Sequence, residues 1–125
     1  MKLLVCDDDP VIRYLLEVVL AKRGGHDVIA TGEAADVAET ARRERPDGVL
    51  LDYMMPGLSG LDVAGELAAD PHTAEIPVVF LTGRADLDED DFRDLNIAGV
   101  IEKPFETATL AERVRVLISR DSGES

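Results

Sequence analysis

Gly48-Val-Leu-Leu-Asp-Tyr-Met-Met-Pro-Gly-Leu-Ser-Gly-Leu-Asp62 states the fold in fifteen residues. Val49, Leu50 and Leu51 form a short apolar run with the composition of a strand buried on both faces, and it stops at a carboxylate, Asp52. Met54-Met55-Pro56-Gly57 must turn, because proline fixes φ and glycine permits φ > 0. Ser59 to Asp62 then has the S-x-x-D spacing of a capping box, so a helix follows. The unit is strand, acidic loop, helix, and Asp52 stands at the carboxyl end of its strand. An acid there is either a solubilising loop residue or a reactive group at the mouth of an α/β sheet, and the rest of the chain decides between them.

The same unit recurs on both sides of this stretch. Lys2 to Cys6 is an apolar run followed by Asp7-Asp8-Asp9-Pro10. Asp9 suits the N-cap and Pro10 the first turn of a helix that carries Ile12, Leu15, Leu16 and Val19 on one face and ends at Gly24-Gly25. Asp27 to Ala30 is a weaker strand. Ala34, Val37, Ala38 and Ala41 repeat at helical spacing, Arg42, Arg43 and Arg45 complement the dipole in the last turn, and Pro46 closes the segment. Leu61, Ala64 and Ala68 mark a third helix to Asp70-Pro71. Ile76 to Leu81 is a fourth strand ending in Thr82-Gly83. Asp86 with Glu89 three residues on predicts a fourth helix with a thin apolar face at Phe92 and Leu95. Gly99-Val100-Ile101 is a brief fifth strand before Glu102-Lys103-Pro104-Phe105, and Leu110, Val114, Leu117 and Ile118 make the last helix.

Five apolar strands alternating with five helical segments predict an α/β fold with a parallel sheet covered on both faces, since parallel strands need crossover connections. Ligands of such sheets bind beyond the carboxyl ends of the strands. Asp7 and Asp8 follow the first strand, Asp52 the third, Thr82 the fourth and Lys103 the fifth, so all five gather on one edge. Asp9 has a cap to make; Asp7 and Asp8 have no such structural reason, and their mutual repulsion calls for a cation.

Composition narrows the function. The 125 residues are one domain, large enough to bury roughly 65–70% of the unfolded surface without a staple. Thirteen basic against 26 acidic residues give a net charge of −13, which disfavours direct contact with nucleic acid or anionic membrane. There is no run of the roughly 20 apolar residues a membrane span needs, nor a signal peptide, so the expectation is a cytoplasmic protein. A single cysteine, Cys6, has no internal partner and fits a reducing compartment; beside the acids it reads as a packed, unreactive thiol. His26 and His72 read as solvated loop residues and Met54-Met55 as loop packing. Asp86, Asp88 and Asp90 mimic a calcium loop, but Asp91 and Ile97 stand where that loop needs glycine and glutamate.

Three carboxylates on one edge make an incomplete site for a hard, oxygen-seeking cation, which suits Mg²⁺. Lys103 is a mobile point charge and Thr82 a hydroxyl donor, both able to hold anionic oxygens. A carboxylate flanked by a divalent cation, an ammonium and a hydroxyl is a phosphoryl acceptor.

V-C-D-D-D-P at residues 5–10, L-L-D-Y-M-M-P-G-L-S-G at 50–60, V-V-F-L-T-G at 78–83 and G-V-I-E-K-P-F at 99–105 together resemble the receiver domain of bacterial two-component response regulators, over nearly the whole chain. The resemblance implies a flavodoxin-like (βα)5 fold with sheet order 2-1-3-4-5. It implies that Asp52 accepts a phosphoryl group from a kinase phosphohistidine and that Mg²⁺ is held by Asp7, Asp8, Asp52 and the backbone carbonyl of Met54. Thr82, Gly83 and Lys103 would contact the phosphoryl oxygens, and Lys103-Pro104 would be cis. The implied partners are a sensor histidine kinase or phosphotransfer protein and a downstream protein target, with the receiver a monomer or a phosphorylation-dependent dimer. On this reading the chain is a phosphoacceptor, catalysing only its own phosphorylation and dephosphorylation. Thr82 and position 100 form the implied switch, and here the sequence departs from the family: Val100 stands where many receivers place an aromatic. Gly83 replaces a commoner alanine, and Met54 and Arg84 occupy positions that tune phosphoryl lifetime in the family. Residues 1–120 would be the receiver and 121–125 a disordered polar tail, as in stand-alone, chemotaxis-regulator-like receivers.

Two rivals remain. Asp7-x-Asp9-x-Val11 matches the nucleophile loop of haloacid-dehalogenase-like phosphatases, although only one helix follows Lys103 where that family needs a further acidic pair. A pseudo-receiver, never phosphorylated and serving only as an interaction module, is the other; the intact acid, threonine and lysine set argues against it.

Overall fold

The computed structural model describes residues 1–83 and 87–121, except the side chain of Asp121. Five parallel strands, β1 (Lys2–Cys6), β2 (Asp27–Thr31), β3 (Gly48–Asp52), β4 (Val78–Thr82) and β5 (Ile97–Glu102), form one sheet in the order β2-β1-β3-β4-β5. Helices α1 (Pro10–Val18), α2 (Val37–Glu44), α3 (Gly60–Ala69) and α4 (Thr107–Asp121) cover it. This is the flavodoxin-like arrangement expected. The register pairs Cys6 with both Thr31 and Leu51, Asp52 with Leu81, and Thr82 with Glu102, so the strands end level with one another.

The alternation of side chains across the pleat divides the core into two layers. Leu3, Val5, Leu50, Val79, Leu81 and Ile101 face α1 and α4, where Leu16, Leu110, Val114 and Ile118 meet them. Leu4, Cys6, Val49, Leu51 and Phe80 face α2 and α3 and pack on Val37, Ala41, Val63 and Leu67. Helix α4 approaches so closely that a Cβ at Gly48 would lie 2.2 Å from Ile118 Cδ1, which explains a glycine at the start of a wholly buried strand.

Local chemistry sets the helix ends. Asp9 Oδ1 accepts the Val11 N–H at 2.9 Å with Pro10 in the first turn, and α1 runs on into a π-helical turn, Val19–Arg23. Ser59 Oγ accepts the Asp62 N–H while Asp62 Oδ2 accepts the Ser59 N–H, both at 3.1 Å, completing the capping box. Arg45 adopts φ 50 and closes α2 with its N–H on Ala41 O at 2.9 Å, and the following Pro46 disfavours further right-handed helix. Strand β4 starts at Val78, later than Ile76; Pro77 has no N–H for a ladder, though its carbonyl accepts from Val49 N at 3.0 Å.

Two expectations need correction. The predicted fourth helix is, among the described residues, only a 3-10 turn, Glu89–Phe92. Its expected cap, Asp86, lies outside the described residues; instead Asp88 Oδ1 accepts the Asp90 N–H at 2.9 Å. Asp88, Asp90 and Asp91 are weak helix formers whose carboxylates compete for nearby backbone N–H groups, so the helix has little to sustain it. Phe92 still packs inward, 5.3 Å from Phe80 between ring centroids. His26 is buried rather than solvated: it lies against Gly24 and α4, and the terminal ammonium of Met1 sits 3.2 Å from its Nδ1. Burial, reinforced by that ammonium, lowers its pKa. His72 is exposed as expected. Of the expected tail, Asp121 continues the α4 backbone and 122–125 lie outside the described residues. Among the described residues no helix is long and apolar enough to cross a membrane.

Candidate functional site

Because the strands are parallel and level, the residues that follow them converge. Asp7, just past β1, is fully buried; Asp52, the last residue of β3, is 8% exposed; Asp8 is open to solvent. One carboxylate oxygen from each lies within 4.8 Å of those of the other two. Asp52 Oδ1 also accepts the Met54 N–H at 3.2 Å, folding the loop after β3 back over the acid.

Lys103 enters from β5 beside a cis Lys103-Pro104 bond. Its Nζ donates to Asp7 Oδ2 at 2.7 Å and stands 3.6 Å from Asp52 Oδ1. The ammonium therefore lies between two acids and pairs more closely with Asp7. Asp7 is held at its other atoms too: Oδ1 accepts from Asp9 N at 2.9 Å, the backbone N–H donates to Thr31 O at 3.3 Å, and the carbonyl accepts from Arg13 Nη1 at 2.9 Å.

One lysine does not compensate three acids in a partly dry site. Burial pushes the Asp52 carboxyl up to about 6; Asp7 and Asp8 add to the rise, while Lys103 and the Met54 N–H oppose it. Burial likewise pushes the Cys6 thiol up to about 12, with Asp7 and Asp52 contributing, so Cys6 is a packed thiol as expected. Its Sγ lies 3.5 Å from Met55 Sδ; Met55 packs on the core, whereas Met54 is 59% exposed.

Thr82 closes β4 one residue beyond the partner of Asp52 and is buried. Gly83 is exposed, and a Cβ there would meet no described atom within 4 Å. Val100 is half-buried, packs at the margin of the α2/α3 layer, and borders a shallow groove of about 420 Å³ between β5 and α4. Arg84 lies outside the described residues. The one site neighbour that the sequence reading passed over is Arg13. A cation in the first turns of a helix opposes the dipole, and that was a usable signal that it serves something else.

The sequence profile of the response regulator receiver domain matches residues 3–115, and the chain belongs to that family. It is 37% identical over 125 residues to the DNA-binding response regulator MtrA of Mycolicibacterium smegmatis, covering 98% of this chain and 53% of that protein. It is 31% identical over 119 residues to protein PilH of Pseudomonas aeruginosa, covering 94% of this chain and 98% of PilH. The chain thus spans about half the length of MtrA and nearly all of PilH. Among solved structures, a sensor protein from Polaromonas superposes with a TM-score of 0.86 at 26% identity, covering 96% of this chain and 97% of that one. The receiver domain of a sensor histidine kinase from Pseudomonas aeruginosa superposes at 0.79 with 25% identity, covering 98% and 97%; that structure has a magnesium ion coordinated in its active-site cleft. Receiver domains are signalling phosphoacceptors of two-component systems, and their partners are histidine kinases or phosphotransfer proteins.

Proposed function

We propose that this receiver takes a phosphoryl group from the phosphohistidine of a sensor kinase or phosphotransfer protein onto Asp52, in a Mg²⁺-dependent reaction. The observation that carries the reading is the meeting of three carboxylates within 4.8 Å of one another beside a single ammonium. The donor set is all oxygen, anionic, buried on one side and open on the other, which fits a hard cation that keeps several waters. Asp7, Asp8, Asp52 and the Met54 carbonyl would hold Mg²⁺, whose chemistry there is to neutralise charge on the phosphoryl oxygens.

The chain's own residues do the rest. An ionised Asp52 oxygen attacks phosphorus in line, the P–N bond to the donor imidazole breaks, and the imidazole leaves with the bond's electron pair and takes up a proton. Lys103, 3.6 Å from Asp52, has only to release Asp7 to reach the new oxygens, and Thr82 and the Gly83 amide supply donors on the β4 side. Recruiting Thr82 and Lys103 draws in the loops after β4 and β5. The readout surface then comprises the Thr82 to Asp91 stretch, of which 84–86 lie outside the described residues, and the α4 face beside Val100. A valine has few rotamers to exchange, so loop ordering rather than a swinging ring carries the signal.

Intact-mass analysis after incubation with Mg²⁺ and a small phosphodonor tests this. A phosphoryl adduct on wild type, absent in excess chelator, is the expected result. No adduct under any condition would instead indicate a pseudo-receiver.

A further inference from the structure

Arg13 belongs to α1, its N–H bonded to Asp9 O at 2.9 Å, yet its side chain turns back past the start of the helix. Nη1 donates to the carbonyl of Asp7 at 2.9 Å. The guanidinium gets there by crossing the backbone of Gly32, just beyond β2. A Cβ on Gly32 would clash with Nη1 and lie 3.1 Å from Cζ, so a side chain at 32 would force the guanidinium to shift. Gly32 has no positive φ to explain it, and the passage of Arg13 does. The carbonyl Arg13 grips belongs to the peptide between Asp7 and Asp8, which carries both acids of the candidate metal site.

We propose that Arg13 is a positioning residue for the Asp7–Asp8 pair, with Gly32 as the floor that admits its guanidinium; this rests on the reading that these acids, with Asp52, hold Mg²⁺. With the Asp7 side chain already fixed by Asp9 N and Lys103 Nζ, the carbonyl bond from Arg13 fixes the plane of the next peptide. That plane sets where the exposed Asp8 carboxylate can point. Two effects of the guanidinium oppose each other. Its charge should weaken cation binding, whereas its hold on the peptide should strengthen binding by preparing the site. The proposal is that the second wins, so removing Arg13 weakens Mg²⁺ binding.

The test is calorimetric titration of Mg²⁺ into wild type, R13A, R13K, G32A and the double variant R13A/G32A, at a temperature where thermal melts show each folded. R13A should weaken binding by about tenfold, and R13K, which keeps a donor of similar reach, should recover part of it. G32A should weaken binding comparably in wild type and add nothing to R13A, because a methyl at 32 acts only by displacing the guanidinium. Equal or tighter binding by R13A, or G32A adding its full effect on top of R13A, would overturn the proposal. Wild type that takes up no Mg²⁺ at all would instead overturn the metal reading beneath it.

Discussion

The two ends of this sheet treat charge in opposite ways. At the amino end, Lys2 Nζ pairs with Glu44 at 3.0 Å and the Asp47 carboxylate accepts the Lys2 N–H at 2.6 Å. At the carboxyl end, three acids cluster and, among the described residues, Lys103 pairs only with Asp7 and Asp52, and the Asp52 carboxyl sits at about 6. The same strands supply both ends. The amino end matches its charges within the chain, while the carboxyl end leaves charge for a ligand to complete.

The largest effect is expected from Asp52→Asn. It should abolish phosphoryl transfer completely while leaving the fold intact, because an amide offers no nucleophilic oxyanion; a full-yield adduct by mass spectrometry would sink the assignment of Asp52. Next comes Asp8→Asn. Two like charges ~4 Å apart repel by about 4 kcal/mol at an effective dielectric near 20, and relaxation and partial protonation remove much of that. In chelator the variant should therefore melt a few degrees above wild type, and added Mg²⁺ should stabilise it far less than wild type. A variant clearly less stable than wild type in chelator would contradict the crowding.

The pH dependence separates the two ends by sign. Asp52 has a folded pKa raised from 3.8 to about 6, so the folded state binds the extra proton: its contribution is fully present below 3.8 and lost as pH rises through about 6. His26 has a lowered pKa, so its contribution is present above 6.5 and lost as pH falls through the folded value. Denaturant unfolding of the metal-free protein across this range should show Asp52→Asn flattening the first slope, worth at most about 3 kcal/mol, and His26→Gln flattening the second. If both variants changed the slope in the same direction, the contrast between the ends would fail. The smallest effect belongs to Glu44→Gln, which removes a half-exposed ion pair and should move the melting temperature by no more than about two degrees.

Much of this was legible in the chain. Buried parallel strands read as apolar runs ending at polar residues, so Val49 to Asp52 and Val78 to Thr82 announce their own ends, and parallel topology brings those ends together. What was not legible depends on contacts distant in sequence. His26 is buried by α4, whose Ala111 lies beside Gly24, and nothing near residue 26 predicts it. The pairing of Lys103 with Asp7, 96 residues away, is likewise a contact between segments distant in the chain. The fourth crossover misled for a local reason: Asp86 and Glu89 have capping-box spacing, but Asp88 offers a competing cap and the aspartates after it are weak helix formers.

Between β4 and β5 the pairing slips once: Val78 faces Ile97, but Val79 faces Gly99, leaving Ala98 as an extra residue in β5. Ala98 packs on the α1/α4 side and a Cβ on Gly99 would lie 2.9 Å from Leu117 of α4, so two successive residues look the same way before alternation resumes at Val100. The slip acts as a frame buffer. Losing one residue at 98 would leave Val100, Ile101 and Lys103 opposite the same neighbours, whereas losing one at 100 would turn Ile101 out of its layer and carry Lys103 off the acids. In lineages descended from this chain, single-codon deletions should survive at the first of these positions and be purged at the second.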